Sequence, residues 1–469
     1  MLSEGCVPEV VVSESDVRCV FGRLNARKAC GPDGVKGSVL RECREQLSSI
    51  YASFFNFSLL NSCIPSAWLK SEIIPVPKNK CVKEMNDLRP VALTSIIMKS
   101  FERIILKEIK FSFSPVQDNF QFAYRSGRSV DDAILLFLDN VYSHLDTPRA
   151  YCRVLFVDFS SAFNTIQPHL LVNKLKDLKM NDYIVSWIIE FLTNRSQYVK
   201  FNNVISNCIT TNTGAPQGCV ISPVLFTIYT NDCSINSEHT SLIKFADDST
   251  IQGFIKNSEQ SYFDSIEYFT NWCDDHYLLL NVKKTKEMIF DFRIKKDPIL
   301  PVVIKGEIVE IVNKYKYLGI TIDDRLEWNY HASNVHAKMS QRLFFLRKLN
   351  SFHIDSKLLY LFYSSVIESI LLFCFCAWGG NCKAADMYSF FIFMKKSLRI
   401  CNVDVYHPST LLETITIHKI NKIVKDQSHP LFNKICFSKR KSGRFISIKT
   451  KTERHRNSFL PRAIRAITL

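Results

Sequence analysis

The sequence predicts an α+β fold built in several regions, on three observations. Short, continuous apolar runs of strand length alternate with segments of helical periodicity up to about residue 325. From about 331 to 425 the pattern is mostly helical, and from 434 onward it is strongly basic, "KICFSKRKSGRFISIKTKTERHR". A chain of 469 residues is long enough for two to four such regions.

The elements follow in order. Residues 14–60 read as helix, interrupted at "ACGPDGVKG" (29–37), where Gly and Pro force a loop. "SEIIPVPKNK" (71–80) reads as a strand that ends at Pro77 and enters a basic loop. "LTSIIMKSFERIILKEI" (93–109) spaces its apolar residues for a helix, and a second helix follows in "YRSGRSVDDAILLFLDNVYSHL" (124–145). "RVLFVDF" (153–159) has the continuous apolar character of a buried central strand. Helices are expected at 167–178 and 183–192, and a strand with a turn at "QYVKFNNV" (197–204). "TGAPQGCVISPVLFTIYTND" (213–232) is a Gly/Pro loop followed by an apolar helix. "SLIKFADDSTIQGF" (241–254) is a hairpin, followed by a helix over 258–279 and by strands at 286–292, 306–311 and 316–322. The most apolar run, "VIESILLFCFCAW" (366–378), carries Glu368 and is too short to span a bilayer, so it reads as one core helix, and no membrane partner is expected.

Composition narrows the classes. The chain is 46% hydrophobic and 12% aromatic, which is globular and not disordered. Lys and Arg number 60 against 45 acidic residues, a net charge of +15, which points to a polyanionic partner such as nucleic acid. The 16 cysteines are scattered, without a CxxC pair or a zinc-spaced Cys/His block, which fits a reduced intracellular protein, nuclear or cytoplasmic. "KRK" (439–441) is a weak nuclear signal.

The hairpin holds the chemical question. Asp247 and Asp248 are neighbours between two apolar strands. Two carboxylates roughly 4 Å apart repel by about 4 kcal/mol at an effective dielectric of about 20. A solvated turn is one solution, since Asp is a common turn residue. The other is a cation. Asp158 ends a second apolar strand, and if the two strands are neighbours three carboxylates meet at one sheet edge. Mg²⁺ takes such oxygen ligands together with substrate phosphates, and two ions can activate a 3′-hydroxyl and stabilise leaving pyrophosphate.

"LFVDFSSAFNTI" (155–166), "GAPQGCVISPVLFTIYTND" (214–232) and "KFADDS" (244–249) resemble, in order and spacing, the reverse transcriptases of non-LTR (LINE-type) retrotransposons. "ARKACGPDGV" (26–35), "SEIIPVPKN" (71–79), "NDLRPVALTSIIMKSFERII" (86–105), "QFAYRSGRSVDDAI" (121–134), "LNVKKTKEMIFDF" (280–292) and "YKYLGITID" (315–323) extend the likeness over roughly residues 15–350. The resemblance implies a right-hand polymerase with fingers, a ferredoxin-like palm and a helical thumb. Its expected divisions are 1–145 for N-terminal extension and fingers, 146–325 for palm, 326–430 for thumb and 431–469 for a basic C-terminal segment.

It also implies the activity and the site. The reaction is RNA-directed DNA synthesis: nucleotidyl transfer of deoxynucleotides to a primer 3′-hydroxyl with two Mg²⁺ ions, or Mn²⁺ in their place. The partners are an RNA template, a DNA primer and deoxynucleoside triphosphates. Asp158, Asp247 and Asp248 would bind the metal ions as the catalytic carboxylates. Phe163 would lie under the incoming sugar and reject a 2′-hydroxyl; otherwise it is a core Phe. Gln217 would contact the incoming nucleotide or template base, and Gly218 would permit close backbone approach. Lys78 and Arg89 would neutralise the triphosphate, unless they are only solvated surface charges. Lys284 would protonate departing pyrophosphate, with Lys283 and Lys286 as neighbouring alternatives, and "YLG" (317–319) would hold the primer end.

The chain is expected to be the polymerase part of an element, with no room for an endonuclease ahead of the fingers and no RNase H, so nicking a target needs a separate endonuclease. One alternative is an inactive remnant that only binds nucleic acid. A second comes from "LNVKKTKEMIFDFR" (280–293), which also resembles an N-terminal segment of alkylated-nucleic-acid repair dioxygenases. Such an oxygenase needs two His and a carboxylate around iron. "HID" (353–355) offers His and Asp but no third ligand, so 280–293 is read as polymerase palm. The C-terminal "RHRNSFLPRAIRAITL" (454–469) reads either as a nucleic-acid-binding segment or as poorly ordered surface.

Overall fold

The computed structural model describes residues 10–78, 81–235, 237–296, 298–437 and 445–468. Its strands are β1 (Ser71–Pro77), β2 (Leu88–Leu93), β3 (Tyr151–Val157), β4 (Arg195–Phe201), β5 (Val204–Ile205), β6 (Ile209–Thr211), β7 (Thr240–Phe245), β8 (Asp248–Ile255), β9 (Lys286–Phe290), β10 (Val303–Ile304), β11 (Glu307–Ile308), β12 (Glu310–Ile311), β13 (Lys314–Tyr317) and β14 (Ile320–Asp323). The chain folds as two compact, interleaved units: Met1–Asp118, Phe159–Cys233 and Asn271–Leu280 form the first, and Asn119–Asp158, Ser234–Thr270 and Asn281–Leu469 the second.

In the first unit a sheet of order β2-β1-β4-β5, with β6 on β4, lies beside helices Glu14–Gly22, Arg44–Asn61, Ile96–Phe113 and Asp182–Leu192. The helices form because apolar residues recur on one face, and that face is aromatic. Phe55 stacks on Phe101 at 4.2 Å, Phe101 meets Trp187 edge-on at 4.8 Å, and the Trp187 indole N–H donates to Ser58 Oγ at 3.2 Å.

In the second unit the main sheet runs β12-β9-β3-β8-β7. β3 lies antiparallel to both β8 and β9, and β7 antiparallel to β8. Every residue of β3 is buried, as its unbroken apolar sequence requires of a central strand. The exception to that apolarity is Arg153, fully buried and bonded in a fork to Glu287 at 2.8 and 3.0 Å and to Glu259 at 2.8 Å. Gly253 on the neighbouring strand leaves room for the Tyr262 ring, which a Cβ would strike at 2.5 Å.

The Val130–Leu145 helix covers this sheet and carries an acidic stripe. Asp132, Asp139 and Asp146, at the seven-residue spacing of one helix face, grip the C-terminal region. Asp132 meets Lys419 at 2.8 Å and His429 at 2.9 Å, Asp139 meets Lys434 at 2.6 Å, and Asp146 meets His455 at 2.6 Å. The basic tail is thus engaged with the fold over its described residues: helix Phe459–Thr468 buries Phe459, Leu460, Ala463 and Ile464. This corrects the expectation of poorly ordered surface there. "KRK" (439–441) lies outside the described residues.

The expected single helix over 366–378 is broken. Helix Ser369–Leu372 ends, Cys374 turns left-handed at φ 53, and Phe375–Trp378 begins a new turn. The Trp378 indole donates to the Phe373 carbonyl at 3.1 Å, which satisfies a group freed by the break. The run is still core: Ile367, Leu371, Phe375 and Trp378 are fully buried. Among the described residues no single helix is long and apolar enough to cross a membrane, and the cysteines are free thiols.

Candidate active site

The last paired residues of β3 and β8 are Val157 and Ser249. One step further along that antiparallel register sets Asp158 opposite Asp248, the first residue of β8. Residues directly opposite one another in such a pair have Cα atoms roughly 4.5–5.5 Å apart and share a face. Asp247 sits in the two-residue loop between Phe245 and Asp248. The other loop residue, Ala246, has φ 57, a left-handed conformation that costs a residue with a Cβ about 1–2 kcal/mol.

Electrostatics follow from this crowding. The Asp248 carboxyl is pushed up to about 6, first by desolvation and then by the charges of Asp247 and Asp158, although the residue as a whole keeps an exposed edge. Tyr315 stacks on Phe156 at 4.1 Å, and its hydroxyl is raised to about 12 by burial and by Asp248 and Asp158. The Tyr124 hydroxyl is raised by burial and by Asp247. The sequence reading missed both tyrosines. Alternation in "YKY" (315–317) put Tyr315 and Tyr317 on one face, but nothing local showed which face.

The backbone of Asp158 is held from the other side. Its N–H donates to Thr285 Oγ1 at 3.3 Å, and its carbonyl accepts from Asn281 N–H at 2.8 Å. Lys284 therefore sits, exposed, in a turn tied to Asp158. Lys286, one of its alternatives, is paired with Glu310 at 2.6 Å. "YLG" forms the β13–β14 turn, with Leu318 at φ 45 and Gly319 at φ 98, the two positive values of a type I′ hairpin.

The other sequence-predicted residues belong to the first unit. Val76 of β1 pairs with Arg89 of β2, and Lys78, two residues beyond Val76, falls on the same side of the hairpin. The half-buried Phe163 ring packs on Phe226 at 5.0 Å, and its carbonyl accepts from Ala215 N–H at 2.8 Å. Gly214, at φ 72, lies so close to Asn164 that a Cβ would meet its backbone at 2.6 Å. The "PQG" loop docks on β2: Ala92 N–H donates to the Gln217 carbonyl at 2.8 Å. Gly218, at φ 119, presses against the Ala92 carbonyl, where a Cβ would sit 2.8 Å away, so its close backbone approach is to β2.

Glu102 supports the same loop. It is fully buried and accepts from the N–H groups of Val220 at 2.6 Å and Ile221 at 3.1 Å, while its other oxygen has no partner. Burial raises its carboxyl to about 7 against those hydrogen bonds and the nearby Lys99 and Arg103. Beside it is a cavity of about 370 Å³ lined by Arg23, Lys28, Lys99, Arg103, Lys107 and Gly218, among others. Lys107 pairs with Asp16 at 3.0 Å; among the described residues Arg23, Lys28, Lys99 and Arg103 form no salt bridge, although Lys99 and Arg103 act on Glu102 through space.

Residues 76–322, more than half of the chain, match the family described as "Reverse transcriptase (RNA-dependent DNA polymerase)". The chain belongs to the reverse transcriptase family. Its relatives are non-LTR retrotransposon proteins. It is 26% identical over 339 residues to "Probable RNA-directed DNA polymerase from transposon BS" of Drosophila melanogaster, covering 70% of this chain and 37% of that one. It is 24% identical over 346 residues to "RNA-directed DNA polymerase from mobile element jockey" of the same organism, with the same 70% and 37% coverage. The reverse transcriptase chain thus spans little more than a third of the length of these curated relatives. A truncated apo telomerase structure from Candida tropicalis aligns with 61% of this chain and 59% of that one, at 12% identity and a TM-score of 0.38.

Residues 328–369 match a second family, "Alkylated DNA repair protein alkB homolog 8, N-terminal". That match lies on helices and not at 280–293, where the sequence reading had put it; 280–293 contains β9 of the main sheet. Within the matched segment His353 occupies a left-handed turn and Asp355 caps the next helix through Lys357 N–H at 2.9 Å. Among the described residues no group of three or more His, Cys, Asp or Glu is arranged to hold a metal ion on its own, Asp158, Asp247 and Asp248 included. Mg²⁺ bound by one or two carboxylates and substrate phosphates requires none.

Proposed function

We propose that this chain performs RNA-templated DNA synthesis, adding deoxynucleotides to a primer 3′-hydroxyl, as the polymerase portion of a non-LTR retrotransposon protein. The observation that carries the proposal is the β3–β8 register, which brings Asp158 across from Asp248 beside Asp247. The sheet order β9-β3-β8-β7 suits a ferredoxin-like palm, with the helices beyond residue 326 as thumb.

The donor set fits divalent cations. It is all oxygen, and after desolvation the charges of Asp247 and Asp158 add to the rise of the Asp248 carboxyl, a repulsion that a cation would relieve. Asp158, Asp247 and Asp248 would hold Mg²⁺, with two ions as the working number. Bound there, the metal supplies charge neutralisation and a more acidic primer hydroxyl. Lys78 and Arg89 would take the triphosphate charge. Phe163 would exclude a ribose 2′-hydroxyl, and Gln217 would contact the nucleotide or template base. Lys284 would donate a proton to pyrophosphate as it leaves. The basic cavity would take template phosphates without reading sequence. Target nicking would fall to a separate endonuclease activity.

Primer extension on an RNA template by purified protein, with and without Mg²⁺, tests this reading. Metal-dependent product supports it. Template shifted in a gel with no product at any metal concentration would favour the binding-only remnant.

A further inference from the structure

Gln121 is almost completely buried, at 1% exposure, in the stretch that precedes the Val130–Leu145 helix. Its backbone forms a parallel bridge with Lys244 of β7. On either side, Phe122 N–H donates to the Lys244 carbonyl at 2.9 Å, and Lys244 N–H donates to the Phe120 carbonyl at 2.9 Å. The β7 edge is therefore paired as far as Lys244, and the backbone ladder stops there.

The Gln121 side chain takes over beyond that point. Its Oε1 accepts from Ala246 N–H at 3.0 Å, and its Nε2 donates to the Ala246 carbonyl at 3.5 Å. Oε1 also accepts from Ala123 N–H at 3.0 Å, which fixes the amide from behind. One amide thus meets both backbone groups of the residue just before Asp247, the same residue held at φ 57. Only a primary amide of this length offers an acceptor and a donor together there. A carboxylate lacks the donor, and an apolar side chain lacks both.

We infer that Gln121 is a positioning residue: it stands in for a neighbouring strand at the hairpin tip, holds Ala246 left-handed, and so sets the direction of Asp247 and Asp248. This rests on the polymerase reading, because its consequence is metal affinity and turnover rather than stability alone.

The test uses the full chain with Gln121→Met, which keeps length and volume, beside Gln121→Glu. Three quantities are measured: Mn²⁺ binding to metal-free protein by water-proton relaxation, the Mg²⁺ dependence and kcat of primer extension, and the thermal midpoint. For the Met variant we expect Mn²⁺ affinity to fall at least fivefold and half-maximal Mg²⁺ to rise to match. Turnover should fall at least tenfold, with KM for deoxynucleotide within twofold and a midpoint within a few degrees. The Glu variant should show the same pattern. Unchanged metal affinity and turnover, in a wild type that binds Mn²⁺ and extends primers, would overturn the inference. So would a loss of turnover that tracks a lowered midpoint while metal affinity holds. A wild type that neither binds Mn²⁺ nor extends primers would instead remove the polymerase reading itself, and this inference with it.

Discussion

Glu102 accepts a 2.6 Å hydrogen bond from the backbone N–H of Val220, three residues beyond Gln217. Its carboxyl is raised from the ordinary Glu value of 4.5 to about 7 by burial. A raised carboxyl holds its proton in the folded state after the unfolded chain has released it. Stability from this group is therefore complete below about pH 4.5 and declines as pH rises to about 7, by up to about 3 kcal/mol. Glu102→Gln keeps an oxygen for Val220 and Ile221 and carries no charge. The variant should match wild type in denaturant unfolding near pH 4.5 and exceed it at pH 8. A difference that is the same at both pH values would refute this.

Asp132 behaves oppositely. Burial alone would raise its carboxyl, but His429, Lys419 and Ser129 outweigh burial and hold it well below the carboxylate range. Its contribution is present above about pH 4 and fades as pH falls further. Asp132→Asn leaves Lys419 without its buried partner and should cost about 3 kcal/mol at pH 7. Equilibrium unfolding would measure it. A loss under about 0.5 kcal/mol would mean that the acidic stripe does not hold the C-terminal region.

The basic cavity makes a separate prediction through Arg103, which forms no salt bridge among the described residues. Arg103→Ala should weaken binding of single-stranded RNA about equally for unrelated sequences. It should also reduce the slope of log affinity against log salt by about 0.7, the share of one phosphate contact on a single strand. An unchanged slope would place nucleic acid elsewhere.

Phe163 packs on Phe226 and supports the loop ahead of Gln217. Phe163→Val should raise ribonucleotide use relative to deoxynucleotide about tenfold or more, the scale of a lost steric contact of roughly 1–3 kcal/mol. Competitive single-nucleotide incorporation reads this ratio. If the ratio stays put while stability drops, Phe163 serves packing alone.

Much of the second unit's sheet was legible before any coordinates. "RVLFVDF" is a short apolar run with Asp158 near its end and reads as a buried strand, and "SLIKFADDSTIQGF" reads as a hairpin with Asp247 and Asp248 at its tip; that the two are neighbours in one sheet was not legible in either. Gly and Pro marked the turns. Partnerships between distant residues were not legible: Asp132 and His429 are 297 positions apart, and nothing local to either reveals the other. Gln121 and Glu102 escaped notice for a related reason. A buried polar residue resembles a surface one in sequence until its hydrogen-bond partners are known. The break at Cys374 escaped because an apolar run has the same pattern whether its helix is whole or interrupted.

Single-turnover primer extension by Asp247→Asn protein on an RNA template, saturating in Mg²⁺, tests the central claim most directly. Loss of one group that stabilises transition-state charge commonly costs about 10²–10³ or more in rate. The predicted result is a loss on that scale with template affinity within about twofold of wild type. Extension within a few-fold of wild type would contradict the assignment of these carboxylates to the chemistry.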